Sequence, residues 1–338
     1  MKIAILGATG AVGREMLEDL QESTIKDVDV GFFASARSEG QSVEFRGARH
    51  TVMAFGVEKL KGYDYALMSA GGAFSKENSP KLAEIGVTVI DNSSAWRQDP
   101  SVALVVPEVN ASVLDSYQGR IIANPNCSTI QMVVSLAPLQ KAFGLDMVLV
   151  STYQSVSGTG QKGISELADQ VSSHLRFQDP VPKVYAQPII FNLLPGIGPI
   201  DSSGHCEEEA KMVLETRKIM GIPKLEVMAS TIRVPVFSCH SETLAVRLSK
   251  EVSRQELQAV FKDAKGIEFY EGDEYSAMPT PRLVAGKRET FVSRVRLPYG
   301  HETSRWVQFW NVADNLKKGA ATNAVQILEY LIAKKNKG

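Results

Sequence analysis

The opening of the chain constrains its fold more than any other stretch. Ile3-Ala4-Ile5-Leu6 is a short apolar strand, and it runs into Gly7-Ala8-Thr9-Gly10-Ala11-Val12-Gly13. A helical pattern follows through Met16, Leu17 and Leu20. Strand, glycine turn and helix in that order is the context a dinucleotide-binding fingerprint requires. The glycines permit a tight turn, and the helix N-terminus can receive a pyrophosphate. The G-x-x-G-x-x-G spacing is looser than the usual fingerprint, so a glycine-rich turn without a ligand stands as the second reading.

The same rhythm continues. Residues 28–34 read as a strand leading into Ser35-Ala36-Arg37-Ser38. An NAD-preferring fold usually ends this strand in an acidic residue that binds the ribose 2′-hydroxyl. Hydroxyls and Arg37 stand there instead and suit a 2′-phosphate, which makes the expected cofactor NADP; a solvated loop arginine is the plainer alternative. Residues 65–69 form another strand before Ala70-Gly71-Gly72-Ala73, where the backbone can approach a cofactor closely. A helix over 75–85, a strand over 87–91, the polar loop through Arg97, a helix over 110–117 and a strand over 120–123 complete the pattern. Alternating strands and helices with short connections predict an α/β fold, a Rossmann-like doubly wound parallel sheet. Its ligands bind beyond the carboxyl ends of the strands.

Beyond residue 130 the pattern changes. Strands are expected over 147–153, 226–234, 243–248 and 290–296, with helices over 163–176 and 207–220. Residues 155–160 read as a flexible loop and 179–199 as an extended, proline-spaced cover. Few helices separate the later strands, so the second domain is α+β with a mostly antiparallel sheet. A final helix over 320–334 is expected to pack back on the first domain. The domains are therefore 1–127 with 316–338, and 128–315.

Composition narrows the function classes. With 338 residues, 44% of them hydrophobic, the chain can bury two cores. Lys+Arg 37 against Asp+Glu 38 gives a net charge of -1, with no basic excess for nucleic acid and no polybasic run for a membrane surface. Three cysteines without framework or metal-site spacing favour a reduced, cytoplasmic protein with no metal. The glycines at 7, 10 and 13, followed by Arg14 and Glu15, interrupt what would otherwise resemble a signal-peptide core.

Two further stretches carry chemistry. Ile121-Ile122-Ala123-Asn124-Pro125-Asn126-Cys127-Ser128-Thr129 places one cysteine where a strand turns into a helix. Helix N-terminal amides favour a thiolate and can hold a developing oxyanion. Cys127 is therefore a candidate nucleophile, and a small buried core residue is the other reading. In Thr231-Ile232-Arg233-Val234-Pro235-Val236-Phe237-Ser238-Cys239-His240, an arginine sits in an apolar strand and a histidine in the loop beyond. Arg233 suits a planar carboxylate, and His240, titrating near neutrality, suits proton exchange. Glu208 and Lys211, three apart on a helix, share one face.

Together these pieces resemble the aspartate-β-semialdehyde dehydrogenases. The matching segments are the Gly7–Gly13 turn, Asp91-Asn92-Ser93-Ser94-Ala95-Trp96-Arg97, Pro107-Glu108-Val109-Asn110 and Asn124-Pro125-Asn126-Cys127-Ser128-Thr129. Glu208 to Lys211, Arg233 to His240 and Asp314-Asn315-Leu316-Lys317-Lys318-Gly319-Ala320-Ala321 also match, so the resemblance spans the chain. It implies reversible NADPH-dependent reduction of L-aspartyl-4-phosphate to the semialdehyde, on the route to lysine or diaminopimelate, methionine and threonine. Cys127 would form a thioester and His240 would be general acid and base. Gln154 would orient the substrate, Arg233 would clamp its α-carboxylate and Glu208 would lie near its amine. Arg97, Lys211 and Asn126 would hold phosphate. Gly7, Thr9, Gly10, Ala11, Val12, Gly13, Ser35, Arg37, Ser38, Gly71, Ser157, Gly158 and Asn315 would contact the cofactor. The second domain would be catalytic and would form a homodimer. N-acetyl-γ-glutamyl-phosphate reductase, whose cysteine motif usually reads Gly-Cys-Tyr-Pro, and a non-catalytic binding protein on the same fold are the alternatives.

Overall fold

The computed structural model describes residues 1–336. They divide into two compact units, Met1–Asn126 with the C-terminal segment from Ala320, and Cys127–Gly319.

The first unit contains β1 (Lys2–Leu6), α1 (Ala11–Glu22), β2 (Asp29–Ala34), the hairpin β3 (Ser42–Phe45) and β4 (Ala48–Thr51), and β5 (Met53–Ala54). It continues through β6 (Tyr65–Met68), α2 (Gly72–Glu84), β7 (Thr88–Asp91), β8 (Ala103–Leu104), α3 (Pro107–Asn110), α4 (Val113–Ser116) and β9 (Ile121–Ala123). Its main sheet runs β5-β2-β1-β6-β7-β9-β8, and its pairings are parallel. Alternate residues of β1 feed two cores. Ile3 and Ile5 pack with Met16, Leu20, Ile327 and Leu328 on one face. Ala4 and Leu6 pack with Phe33, Met68 and Leu82 on the other. Burial on both faces is why these strands read as continuous apolar runs. The sheet order reverses between β1 and β6, so the turns after these two strands flank the switch point where such sheets bind ligands.

The second unit contains α5 (Cys127–Phe143), β10 (Leu145–Gln154), α6 (Gln161–Leu175), β11 (Leu194–Pro195), α7 (Glu207–Met220), β12 (Glu226–Arg233) and β13 (His240–Ser253). After these come α8 (Arg254–Lys262), β14 (Ile267–Phe269), α9 (Pro281–Val284), β15 (Thr290–Arg296) and β16 (Thr303–Ala313). The sheet order is β11-β12-β10-β13-β16-β15-β14. Its pairings are mixed and mostly antiparallel, with β12 parallel to β10 and β14 parallel to β15. α5, α7 and α8 pack on it. The C-terminal helix α10 (Thr322–Lys335) belongs to the first unit and packs on α1. Among the described residues no helix is long and apolar enough to cross a membrane.

Four local expectations need correction. The single helix over 110–117 is two short ones, because the Asn110 side chain accepts from the Val106 N–H at 2.9 Å and donates to the Leu104 carbonyl at 2.9 Å. A side chain that satisfies nearby backbone groups competes with helix continuation. The loop after β10 is an ordered 3₁₀ turn, Val156–Thr159, with Val156 and Ser157 buried. The amides of Val156 and Ser157 donate to the carbonyls of Val236 and Phe237 at 2.9 and 3.2 Å. His240 opens β13 rather than lying in a loop. Finally, β16 was not expected, since Arg305, Gln308 and Asn311 interrupt its apolar pattern.

Candidate active site

In the first unit, the turn between β1 and α1 has the geometry a phosphate cradle needs. Gly7 has φ +91°, and a Cβ there would lie 2.2 Å from the Ser69 carbonyl oxygen. A Cβ on Gly13 would lie 2.1 Å from the Gly7 carbonyl oxygen. Both positions therefore demand glycine, the first for conformation and space and the second for close helix–strand packing. Ala11, Val12 and Gly13 begin α1, whose N-terminal amides carry partial positive charge. A cavity of about 260 Å³ is lined in part by Gly7, Thr9, Gly10, Ser35, Phe55 and Phe74. The two phenylalanine rings meet edge-on at 4.8 Å, offering an apolar wall to a flat base. Ser35 precedes a 3₁₀ turn, Ala36–Ser38, that exposes Arg37, and the Thr9 hydroxyl donates to Ser38 Oγ at 3.4 Å. Gly71, at φ +86°, caps α2. These residues fit a dinucleotide. Ser157, Gly158 and Asn315, also expected on the cofactor, belong to the second unit.

Arg97 is buried in the first unit. Its Nε donates to the Asn124 carbonyl at 2.9 Å and its Nη2 to the Asn92 carbonyl at 2.8 Å. Asn126, also buried, is the last residue of that unit.

In the second unit, sheet register brings three expected residues into line. Gln154 of β10 pairs with Arg233 of β12 on one side and His240 of β13 on the other. In-register neighbours project to the same face, so an amide, a guanidinium and an imidazole stand side by side. All three are buried. Gln154 Nε2 donates to Glu208 Oε1 at 3.1 Å, and the Ser128 hydroxyl donates to the same oxygen at 3.3 Å. Ser128 follows Cys127, the first residue of α5, which is half-buried. Glu208 lies in the first turn of α7, and Lys211 Nζ is 3.8 Å from its Oε2 and 2.7 Å from Glu207. Arg233 Nη1 donates to the Ser155 carbonyl at 2.7 Å.

His240 is the residue whose expected behaviour changes most. It is fully buried, and its pKa falls to about 3, first from burial and then from the nearby Arg233 charge. It is a neutral imidazole at physiological pH and does not titrate near neutrality. The Ser155 amide donates to its Nδ1 at 3.1 Å, and Ser155 Oγ lies 3.2 Å from the same nitrogen.

Sequence reasoning expected Ser157 and Asn315 on the cofactor and missed them, with Asn311 and Glu242, as supports of this row. Asn315 Oδ1 accepts from the Ser155 and Ser157 hydroxyls at 3.1 Å each and from the Cys239 amide at 3.0 Å. Two residues past His240, the buried Glu242 accepts from Asn311 Nδ2 at 2.9 Å. Burial, opposed in part by hydrogen bonds from Gln131 and Asn311, raises its pKa to about 8, so it is mostly protonated at pH 7. A polar residue at alternate positions of a buried strand was the available signal. The remaining cysteines are structural. Cys206 is the N-cap of α7, 3.1 Å from Thr231 Oγ1. Cys239, at φ +70°, is buried, and burial followed by the Asp314 charge pushes its thiol up to about 12.

Comparison with known proteins supplies the family. Residues 2–117 match the model of the semialdehyde dehydrogenase NAD-binding domain, and residues 136–318 that of the semialdehyde dehydrogenase dimerisation domain. The chain is 46% identical over 334 residues to an aspartate-semialdehyde dehydrogenase of Aquifex aeolicus, covering 98% of each. It is 42% identical to aspartate semialdehyde dehydrogenase II from Vibrio cholerae, whose crystal structure it matches with a TM-score of 0.93 over 98% of both chains. A structure described as that enzyme complexed with ASA matches equally, with a TM-score of 0.93 and 42% identity. Sequence and fold agree: the chain belongs to the aspartate-semialdehyde dehydrogenase family of oxidoreductases.

Proposed function

We propose that this protein catalyses the reversible, NADP-dependent reductive dephosphorylation of L-aspartyl-4-phosphate to L-aspartate 4-semialdehyde. The observation that carries the reading is the Arg233–Gln154–His240 row, tied through Glu208 to the start of the Cys127 helix. Cys127 attacks the acyl carbon; the carbon–oxygen bond to phosphate breaks and a thioester forms. NADPH, when bound at the Gly7–Gly13 turn, supplies the hydride that takes the acyl group to the aldehyde level. Arg233 pairs with the α-carboxylate, which its planar fork fits bidentately. Gln154 orients the substrate, and His240 addresses its reacting oxygen. Lys211, with Arg97 and Asn126 of the first unit, is assigned to the phosphate because a dianion calls for two cations.

Glu208 favours this substrate over an N-acetylated, one-carbon-longer analogue. A buried carboxylate gains from a free ammonium and gains little from a neutral amide. For the cofactor, Arg37 and the hydroxyls of Ser35 and Ser38 support NADP over NAD, because no carboxylate stands at the end of β2 to take a 2′-hydroxyl. For assembly we assign a homodimer through the second unit, supported by its exposed apolar side chains: Phe177 is 99% exposed, Phe191 78% and Met228 62%. The deciding experiment is phosphate-dependent reduction of NADP with aspartate semialdehyde, run beside N-acetylglutamate semialdehyde. Turnover with the first substrate alone is expected; preference for the second would overturn the assignment.

A further inference from the structure

We propose that Glu242 and Asn311 are positioning residues for Cys127: together they fix the height of α5 on the sheet, and with it the seat of the nucleophile. The inference rests on the reaction proposed above and gives two residues a role in it that touches neither substrate nor cofactor.

Apolar packing alone gives α5 no unique height. Residues 128–136 are all buried, with α7 and α8 in contact with the helix and β10, β13, β15 and β16 against it. Burial is non-directional, so a helix covered all round can slide or turn with little change in apolar area. Hydrogen bonds are directional and resist both movements. Asn311 supplies them. Its Nδ2 donates to Glu242 Oε2 at 2.9 Å, to the Gln131 carbonyl at 3.1 Å and to Ser135 Oγ at 3.3 Å. One amide thus ties a strand carboxyl to the first turns of α5, and Gln131 acts on the same carboxyl from the helix side. Glu242 faces Asn311 across β13 and β16 and Thr152 across β10 and β13, so the sheet register sets the strand side of the clamp.

The helix is therefore held at two levels. Ser128 and Gln154 meet on Glu208 Oε1, at 3.3 and 3.1 Å, and Gln154 is the register neighbour of His240. Gln131 is held at the level of Glu242, two residues further along β13. Helix and strand run away from the row in the same sense, and their spacings match. Four residues of helix span about 6 Å, and two residues of strand span roughly 6–7 Å and return to the same face. Holding Gln131 beside Glu242 holds Cys127 beside His240.

Stability does not account for the cluster. Asn311 Oδ1 has no hydrogen-bond partner, and a partly satisfied buried network is worse for folding than an apolar filling. Glu242 is mostly protonated at pH 7, its pKa raised to about 8 first by burial, with the charge of Glu208 on α7 adding last. The neutral acid accepts through Oε2 without setting a second anion near Glu208. Polar groups retained at that cost give direction, which apolar side chains of the same size would not.

The test is the double variant Glu242→Leu with Asn311→Leu in the full-length protein. It is expected to fold with a melting temperature within about 5 °C of the parent, because removing both partners of a buried bond can be nearly neutral. With aspartate semialdehyde, kcat should fall roughly 10–100-fold while KM stays within about threefold, the pattern of a misplaced nucleophile. Its crystal structure, superposed on β10, β13 and β16, should show Cys127 displaced by about 1 Å relative to His240. Glu242→Gln keeps an acceptor for Asn311 and should stay within about threefold of the parental kcat. Should the double variant not fold, Glu242→Leu alone, which frees Asn311 from β13, is expected to show the same split. Parental kcat in the folded leucine variant would overturn the proposal, as would an equal loss in Glu242→Gln. A kcat loss that follows the melting temperature with Cys127 unmoved would also overturn it. If the parent fails to turn over aspartate semialdehyde while Cys127 shifts as stated, the reaction assignment falls and the positioning role stands.

Discussion

Cys127 and Cys239 are the same residue type in opposite surroundings. Cys127 begins a 17-residue helix and is half-buried, whereas the Cys239 thiol is buried and held at about 12. Cys127→Ser is therefore expected to keep the fold and abolish turnover, because an alcohol is far less ionised than a thiol. Cys206→Ser and Cys239→Ser should retain activity; a phosphate-dependent assay on the three purified variants decides the point. The two arginines separate in the same way. Arg233→Leu should raise the apparent KM for semialdehyde more than that for phosphate, and Arg97→Leu should do the reverse. Each lost charge-assisted contact should cost about 1.5–3 kcal/mol. Exchange of the two patterns would exchange the two ligands.

At the scale of the element, β13 is polar at its buried start, and this sets a pH dependence. Glu242 rises from an ordinary 4.5 to about 8, so between these values the native state holds a proton that the unfolded chain releases. Its stabilising share is complete below the unfolded value and is lost as pH rises through about 8. Glu242→Gln should flatten the fall in stability between about pH 4.5 and pH 8, by at most about 5 kcal/mol. His240 acts at the other end: its depressed value makes stability fall as pH drops below about 6.5, where the unfolded chain takes up a proton first. Urea melts across pH check both signs. In the π-helical segment Lys317–Ala321, Gly319 lies against the nucleophile, since a Cβ there would come 2.8 Å from the Cβ of Cys127. Gly319→Ala should depress kcat by displacing the nucleophile, while the melting temperature shifts far less than for Gly7→Ala, where φ is +91°.

For the whole molecule, the second unit's sheet carries α5, α7 and α8, and its long β10 alternates buried with half-buried residues. Such alternation marks a sheet buried on one face only. The apolar side chains at Phe177, Phe191, Leu193, Ile200 and Met228 remain exposed in the single chain. Phe177→Asp combined with Met228→Asp is expected to shift the protein from dimer to monomer in sedimentation velocity. An unchanged sedimentation coefficient would place the partner surface elsewhere.

The sequence by itself determined the βα rhythm, the glycine turn and the candidate residues Cys127, Arg233 and His240. Each of these is a local signal: apolar runs, a spacing of glycines, or a reactive side chain where a strand ends. The tertiary structure alone decided what those side chains are. Lining Gln154 up with Arg233 and His240 needs the register of strands far apart in the chain. The same packing buries His240 and turns a residue that titrates near neutrality in water into a neutral imidazole. Asn311 and Glu242 were not singled out from the sequence, because an amide or a carboxylate in an alternating strand looks solvated until a helix covers it, and Asn315 was expected on the cofactor rather than beneath the Ser155 turn. Burial and partner geometry are non-local quantities, and they set the charge state on which the chemistry depends.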